Sequence, residues 1–380
     1  MQGIVMRIGL ITTLNTNIGD DLIRKGICML LEEVFKGHKI EFISINKHQP
    51  LTIYPDWHPV HLVKIANYLP RGRSRASSII EGFTSKLGLS HFDNCDLIVQ
   101  CGAPVLWPNC HRSEWAVPLW HHVVGRLSHR IPVLNLAAGS AYPWERQPIY
   151  ITDPKDSEFL QAILGYCRLT TVRDSLSQRL CSSLGTETPL LPCSAFLSAG
   201  EYINKIQKKD DGAILINYMH GGGHYGWDQR IDPSAWEETV KILIGRLKAR
   251  HRLAFLCHNE VEYNSSQNLN QTLSCLWPKT PEEYFSVVAE AKGAICNRMH
   301  ASVALAGLGI PSIAVCTDTR LMMVETIGLP CFFVKDITAD TLEDQIEDLL
   351  ISRYQEHVRL LTLRSVTWSK YISYISESLN

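Results

Sequence analysis

The sequence carries twelve cysteines but no Cys-x-x-Cys pair. Clustered Cys and His at metal-ligand spacing are missing, which argues against a zinc site. The cysteines scatter from Cys28 to Cys331, many in apolar runs such as LIVQCG around Cys101 and GAICNR around Cys296. They read as reduced, buried small hydrophobes. No stretch approaches the ~18 consecutive apolar residues of a membrane span. The opening MQGIVMRIGLITT lacks the basic start, long apolar core and cleavage site of a secretion signal, so it reads as a first strand. A cytoplasmic protein is the expectation. Charge of one sign is also lacking: 37 basic side chains face 38 acidic ones, a formal net charge of -1. That balance disfavours a nucleic-acid binder, whose affinity comes from neutralising phosphates. There is no Gly-x-Gly-x-x-Gly fingerprint after the first strand, so dinucleotide binding is disfavoured as well.

What is present is alternation. Short β-branched runs (Ile4–Thr12, Ile40–Ile45, Leu97–Gln100, Pro132–Leu136, Leu169–Val172) are separated by helical patterns at Asp20–Phe35, Glu114–Leu127, Ser157–Leu164 and Asp174–Leu184. The polar segment 200–212 reads as a linker. The rhythm then restarts with strands at Ala213–Tyr218, Leu253–Cys257, Gly293–Cys296, Ser312–Cys316 and Cys331–Val334. Helices at Pro233–Arg250, Pro281–Glu290, His300–Leu308, Met322–Ile327, Thr341–Leu350 and Arg353–Ser365 separate or follow them. Strands joined through single helices pair in parallel. The expected fold class is α/β, with two Rossmann-like domains facing a cleft. Their expected extents are 1–199 and 213–350, followed by a helical tail over 351–380.

In open parallel sheets, ligands bind beyond the carboxyl ends of strands. Six segments lie there. Asn17-Ile18-Gly19-Asp20 follows the first strand; Asp20 or Asp21 can cap the helix, while Asn17 and Asp20 can bond hydroxyls. Gly102 follows LIVQC and opens a turn before Trp107 and Trp115, which can stack on a sugar or simply pack. Ala138-Gly139-Ser140 is weak alone. Arg173 in TVRD sits between strand and helix, where a guanidinium suits a carboxylate or phosphate. The loop from His220 to His224 contains three glycines but no lysine, so it is not a P-loop. It reads as a lid, an anion cradle or a mobile crossover. In Asn297-Arg298-Met299-His300, a fixed charge stands beside a titratable imidazole, which suits anion binding and proton transfer. Arg320 adds a cation after the next strand.

This ordered set resembles the polysaccharide pyruvyl transferase family over residues 5 to 335. The resemblance rests on the Asn-x-Gly-Asp loop, the strand ending in Gly102, Val-Arg-Asp, and Arg-x-His followed by a small-residue helix and Gly-Ile-Pro. It implies a GT-B-like fold and transfer of pyruvate from phosphoenolpyruvate to a sugar as a ketal, with no metal or organic cofactor. It also implies that Arg173, Arg298 and Arg320 hold the donor and that His300 is the acid catalyst. Asn17, Gly19, Asp20, Gly102, His220 and His224 fall to the acceptor side or to the loops. The chain departs from the family pattern at Cys101-Gly102-Ala103, where glycines are usual. It departs again near residue 193, where the family often has an aspartate and this chain has Pro192-Cys193-Ser194, and at Arg320, where the family tends to have a lysine.

The expected partner is a sugar or glycan acceptor. The basic residues Arg71, Arg73 and Arg75 permit a lipid-linked acceptor at a membrane surface, although they read more readily as a solvated face. Two rival readings share the architecture: a nucleotide-sugar glycosyltransferase and a non-catalytic sugar-binding relative. Oligomeric state is not legible.

Overall fold

The computed structural model describes residues 5–61, 89–102, 104–205 and 211–380. The arginines at 71, 73 and 75 and residue 103 lie outside them. Two six-stranded parallel sheets organise the chain, each built from its own stretch of sequence. The first holds β1 (Val5–Thr12), β2 (Lys39–Asn46), β3 (Leu97–Cys101), β4 (Pro104–Leu106), β5 (Val133–Ser140) and β6 (Leu169–Val172). Its order is β2-β1-β3-β5, with both β4 and β6 on β5. The second holds β7 (Ile214–Asn217), β8 (Leu253–Leu256), β9 (Ser274–Leu276), β10 (Gly293–Cys296), β11 (Ser312–Cys316) and β12 (Cys331–Phe333), in the order β12-β11-β10-β7-β8-β9.

Strand order reverses between β1 and β3 in the first sheet and between β7 and β10 in the second. Adjacent crossovers leave there in opposite directions, so the carboxyl ends open a crevice. Helices α1 (Ile18–Val34), α2 (Pro154–Tyr166), α3 (Ser175–Ser183), α4 (Pro233–Leu247), α5 (Glu260–Leu269), α6 (Pro281–Val288), α7 (Met299–Gly307), α8 (Ala339–Ile351) and α9 (Arg353–Leu379) supply the layers. The expected helix at Glu114–Leu127 is wider than an α-helix over Ala116–Val124 and regular only over Gly125–Leu127. All twelve cysteines are free, and most are buried. Among the described residues, no helix is long and apolar enough to cross a membrane.

Two features depart from the sequence reading. Helix α5 and strand β9 were not expected, because EVEYNSSQNL has little apolar periodicity to announce a helix. Helix α9 also runs on to Leu379 instead of stopping near Ser365, and it returns to the first half of the chain. There the Tyr371 hydroxyl donates to the Pro192 carbonyl (3.0 Å) and Arg364 to the Leu197 carbonyl (3.0 Å). The segment Ser194–Leu197 is thereby covered, with α1 and α7 pressed on it from other sides.

Close approach explains two glycines. A methyl group at Gly26 of α1 would lie 2.0 Å from the Ser194 carbonyl oxygen, and one at Gly307 of α7 would lie 2.4 Å from that of Phe196. Gly26→Ala should therefore lower stability by at least about 2 kcal/mol, through backbone displacement in a packed core. Gly245→Ala is the contrast. It lies in the last turn of α4 with nothing within 4 Å of the added methyl, and should gain up to about 0.5–1 kcal/mol. Urea denaturation of both variants reads the difference.

Candidate active site

The site is built from the carboxyl ends of both sheets. In the second, buried asparagines tie the strand ends together. Asn217, at the end of β7, donates to the Leu256 carbonyl (2.8 Å) and to Glu262 (2.8 Å), and accepts the Arg298 amide (2.7 Å). Asn297, after β10, donates to the Val315 carbonyl (2.9 Å) and accepts the Met219 amide (2.9 Å). Four strands are thus locked at the level where Arg298 and His300 emerge. Helix α7 starts there without a side-chain cap, so its first amides and its dipole remain available to an anion.

Each arginine of this half is aimed by a buried carboxylate. Arg298 Nε donates to Glu262 (2.5 Å), whose residue is 2% exposed and whose other oxygen accepts the His258 amide (2.8 Å). Arg320 grips Asp318 through Nε (2.8 Å) and Nη2 (2.6 Å), and its guanidinium lies 5.0 Å from the centre of the Tyr225 ring. Nη1 of both arginines is left uncommitted to these carboxylates. Met219, His224, Asn297, Arg298, Met299, His300, Cys316, Arg320 and Met323 line a cavity of about 20 Å³. That is room for about one water.

Arg173 arrives from the first sheet. It is 1% exposed, and among the described residues no carboxylate pairs with it. Its neighbour Asp174 is fully occupied. That carboxylate caps α3 through the Ser177 amide (2.7 Å) and holds the Ser140 amide (3.0 Å) and hydroxyl (2.9 Å). Arg173 lies flat against Gly139, where a methyl group would come within 2.4 Å of Nε. Its Nη1 donates to His300 Nε2 (3.3 Å) and approaches Cys193 Sγ (3.6 Å), while Nη2 is buried without a partner among the described residues. Since a guanidinium can only donate, His300 is here the neutral tautomer with its proton on Nδ1. Burial drives its pKa well below the usual histidine value, and the charges of Arg173, Arg320 and Arg298 add to the effect.

The Asn17 loop is the other wall. Asn17, not Asp20 or Asp21, caps α1, accepting the Gly19 amide (2.9 Å). Asp20 instead receives the Asn17 amide group (2.6 Å) and the Thr16 hydroxyl (2.8 Å). An asparagine at Asn17 can both accept from the helix and donate to Asp20, which no carboxylate could do. Gly19 is needed because a methyl group there would lie 2.9 Å from His300 Cβ. The structure thus brings Asn17, Gly19, Arg173, Arg298, His300 and Arg320 together.

Other expected residues behave differently. Gly102 packs on Ile23 of α1 instead of opening the crevice. Trp115 is buried, and Trp107 meets it in a tilted arrangement with ring centres 5.3 Å apart. The glycine loop is pressed down: methyl groups at Gly222 and Gly223 would meet Val334 and Thr317 at 2.4 and 2.3 Å. His224 reaches the cavity and, through loss of water and the Arg320 and Arg298 charges, titrates at about 4. His220 stands on the surface, 3.6 Å from Glu237.

Three residues escaped the sequence reading. Lys47, directly after β2, is 5% exposed. His258, two residues after β8, is 3% exposed with neither ring nitrogen hydrogen-bonded. Glu262 orients Arg298. The strand-end rule that found Arg173 and His300 would have found the first two. Among the described residues, His111, Asp153 and Asp156 could converge on a metal ion. Their oxygens already serve the fold, however: Asp153 caps α2, and Asp156 accepts the Asn109 and His111 amides.

The sequence profile of the polysaccharide pyruvyl transferase family matches residues 17–318. Among curated proteins, no sequence matches the chain. Among solved structures, the chain is similar to a UDP-GlcNAc 2-epimerase from Neisseria meningitidis, with 10% identity, 99% of each chain covered and a TM-score of 0.54. It is also similar to a putative UDP-N-acetylglucosamine 2-epimerase from Listeria monocytogenes, with 8% identity, 98% and 96% covered and a TM-score of 0.55. At such identities the likeness is one of fold: two Rossmann-like units facing a cleft, as expected from the strand pattern.

His258 and His300 remain neutral in the fold at pH values where they would protonate in the unfolded chain, near 6.5. Stability is therefore complete above about pH 6.5. It is lost as pH falls below that, by up to about 1.4 kcal/mol per pH unit for each histidine. His258→Phe keeps a ring against Tyr284 and removes one titration. It should leave stability at pH 7.5 little changed and make the acid limb shallower in pH-dependent urea melts.

Proposed function

The chain belongs to the polysaccharide pyruvyl transferase family, and from that membership we propose that it transfers pyruvate from phosphoenolpyruvate to a sugar, closing a ketal. The observation that carries the reading is the convergence of three guanidiniums on one imidazole where the two sheets meet. Phosphoenolpyruvate brings a carboxylate and a phosphate, and so needs several cations. Arg298 and Arg320, pre-aimed by Glu262 and Asp318, offer Nη1 groups and the α7 amides to it. Arg173 supplies the third charge from beneath His300.

The enol carbon must gain a proton while a hydroxyl attacks its neighbour. We assign the proton to His300. Without a donor, burial and then the arginine charges keep this imidazole neutral; a bound trianion offsets the arginines' share and moves its pKa up toward protonation. Once charged, Nε2 and the Arg173 Nη1 are both donors, and their hydrogen bond must break. Seating the donor therefore separates the two units at this contact, which the 20 Å³ cavity requires in any case. Asn17 and Asp20 face the same space from the first unit and fall to the acceptor side.

Incubation with phosphoenolpyruvate and a panel of sugars (p-nitrophenyl glycosides of galactose, glucose, mannose and N-acetylglucosamine) should release inorganic phosphate with at least one acceptor. His300→Ala should lower turnover about 10²–10⁴-fold. Arg298→Met should raise the phosphoenolpyruvate KM about tenfold or more, since an oriented charge is lost. Calorimetric binding of UDP-sugars with none of phosphoenolpyruvate would replace the reading by glycosyl transfer.

A further inference from the structure

Lys47, at the carboxyl edge of the first sheet, is a titratable group that the scheme above leaves without a task. It directly follows β2, where its backbone amide donates to the Thr12 carbonyl (2.8 Å) at the edge of the Asn17 loop. Its side chain is buried. Nζ lies 4.6 Å from the centre of the Trp115 ring, and among the described residues it makes neither a hydrogen bond nor an ion pair. Trp115 is in turn fixed between His48 (5.4 Å, edge-on) and Trp107, so the amine has a rigid aromatic floor. The charged groups around it come from four elements: Asp20 at the start of α1, Arg173 after β6, Glu114 before the wide helix, and His48 beside it. Glu114 is already taken by His48 (2.6 Å) and Asp20 by Asn17 and Thr16. A buried ammonium without a carboxylate is costly, which shifts the balance toward the free amine relative to a solvated lysine.

We propose that Lys47 is the base that takes the proton from the attacking sugar hydroxyl. The inference rests on the pyruvyl-transfer reading and adds the residue that activates the acceptor. Electrostatics agree: loss of water, together with the Arg173 charge, brings the Lys47 pKa down to about 8, with Asp20 and Glu114 acting in the opposite direction. An appreciable fraction is then neutral at physiological pH, as a general base requires.

The step balances. The hydroxyl oxygen bonds to C2 of phosphoenolpyruvate as its O–H bond breaks, and the proton passes to Lys47 Nζ. The enol carbon receives a proton from His300 and becomes the methyl group. When the second hydroxyl attacks C2, the bond from C2 to the phosphate oxygen breaks. One proton leaves on the departing hydrogen phosphate, supplied by Lys47, and the second hydroxyl proton returns to His300. Both side chains finish as they began, and two sugar protons have become one C–H and one O–H. The Asn17 loop would hold the reacting sugar between the base and the donor.

Steady-state kinetics on the full chain tests this, with phosphate release from phosphoenolpyruvate and whichever panel glycoside the wild type accepts. Lys47→Met should lower kcat about 10²–10⁴-fold with the phosphoenolpyruvate KM within about threefold of wild type. It should melt no earlier than wild type, because an unpaired buried amine is replaced by an apolar chain of similar length. Lys47→Arg keeps the charge and cannot act as a base, so it should stay as inactive as Lys47→Met. The acid limb of the wild-type profile of kcat/KM for the acceptor, near pH 8, should be lost from the residual activity of both. Recovery of more than a tenth of wild-type kcat in Lys47→Arg, or unchanged kcat in Lys47→Met, overturns the base. Failure of the wild type itself to release phosphate with any glycoside overturns the pyruvyl reading, and this inference with it.

Discussion

Among the described residues no carboxylate pairs with the buried charge of Arg173, and the rest of the crevice is arranged around that fact. A guanidinium in such a place is tolerated when its N–H groups find acceptors and its charge finds a counter-ion on demand. Here His300 supplies one acceptor across the seam between the sheets, and Gly139 clears the plane against which the group lies. The imidazole consequently stays neutral. The same contact links the first half of the chain to the second, so the electrostatics of the site and the relative position of the two units are one problem.

Cys193 makes the charge sharper. Its thiol is the group that Arg173 Nη1 approaches at 3.6 Å. The family resemblance implies an aspartate near this position, and a carboxylate beside the guanidinium would compensate its charge. With a thiol, compensation is left to whatever anion enters the crevice. The remaining arginines are the reverse case. Arg298 and Arg320 are each held by an almost fully buried carboxylate, Glu262 and Asp318, which fixes direction while reducing net charge. One unpaired and two paired guanidiniums match a ligand with a carboxylate and a phosphate better than three free ones would, since strong mutual repulsion is avoided.

Much of this was legible beforehand, for physical reasons. Buried parallel strands are continuous apolar runs, so LIVQC, GAIC and SIAVC announced themselves. The residues following them were sound candidates, because open sheets expose ligand sites only at their carboxyl edge. Arg173 and His300, 127 residues apart in sequence, duly meet. What escaped was whatever depends on partners. Lys47 in NKHQP looks like a solvated loop until Trp115 is seen beneath it. His258 in LCHNE gives no hint that its ring is left unbonded. Asn17 and Asp20 exchanged capping roles because hydrogen-bond polarity, not residue preference, decides between them. Helix α9 was cut short in the reading by its serines and β-branched residues, whose weak propensity is overridden by packing.

That helix has a consequence for biogenesis. Pro192, whose carbonyl it seals through Tyr371, leaves the ribosome 179 residues before its partner does. Synthesis delivers the first sheet early, with the flank around Phe196 and Leu197 bare. This apolar stripe has to wait through translation of the entire second sheet, a window of many seconds at ordinary elongation rates. The first half expressed alone would leave that stripe without its cover.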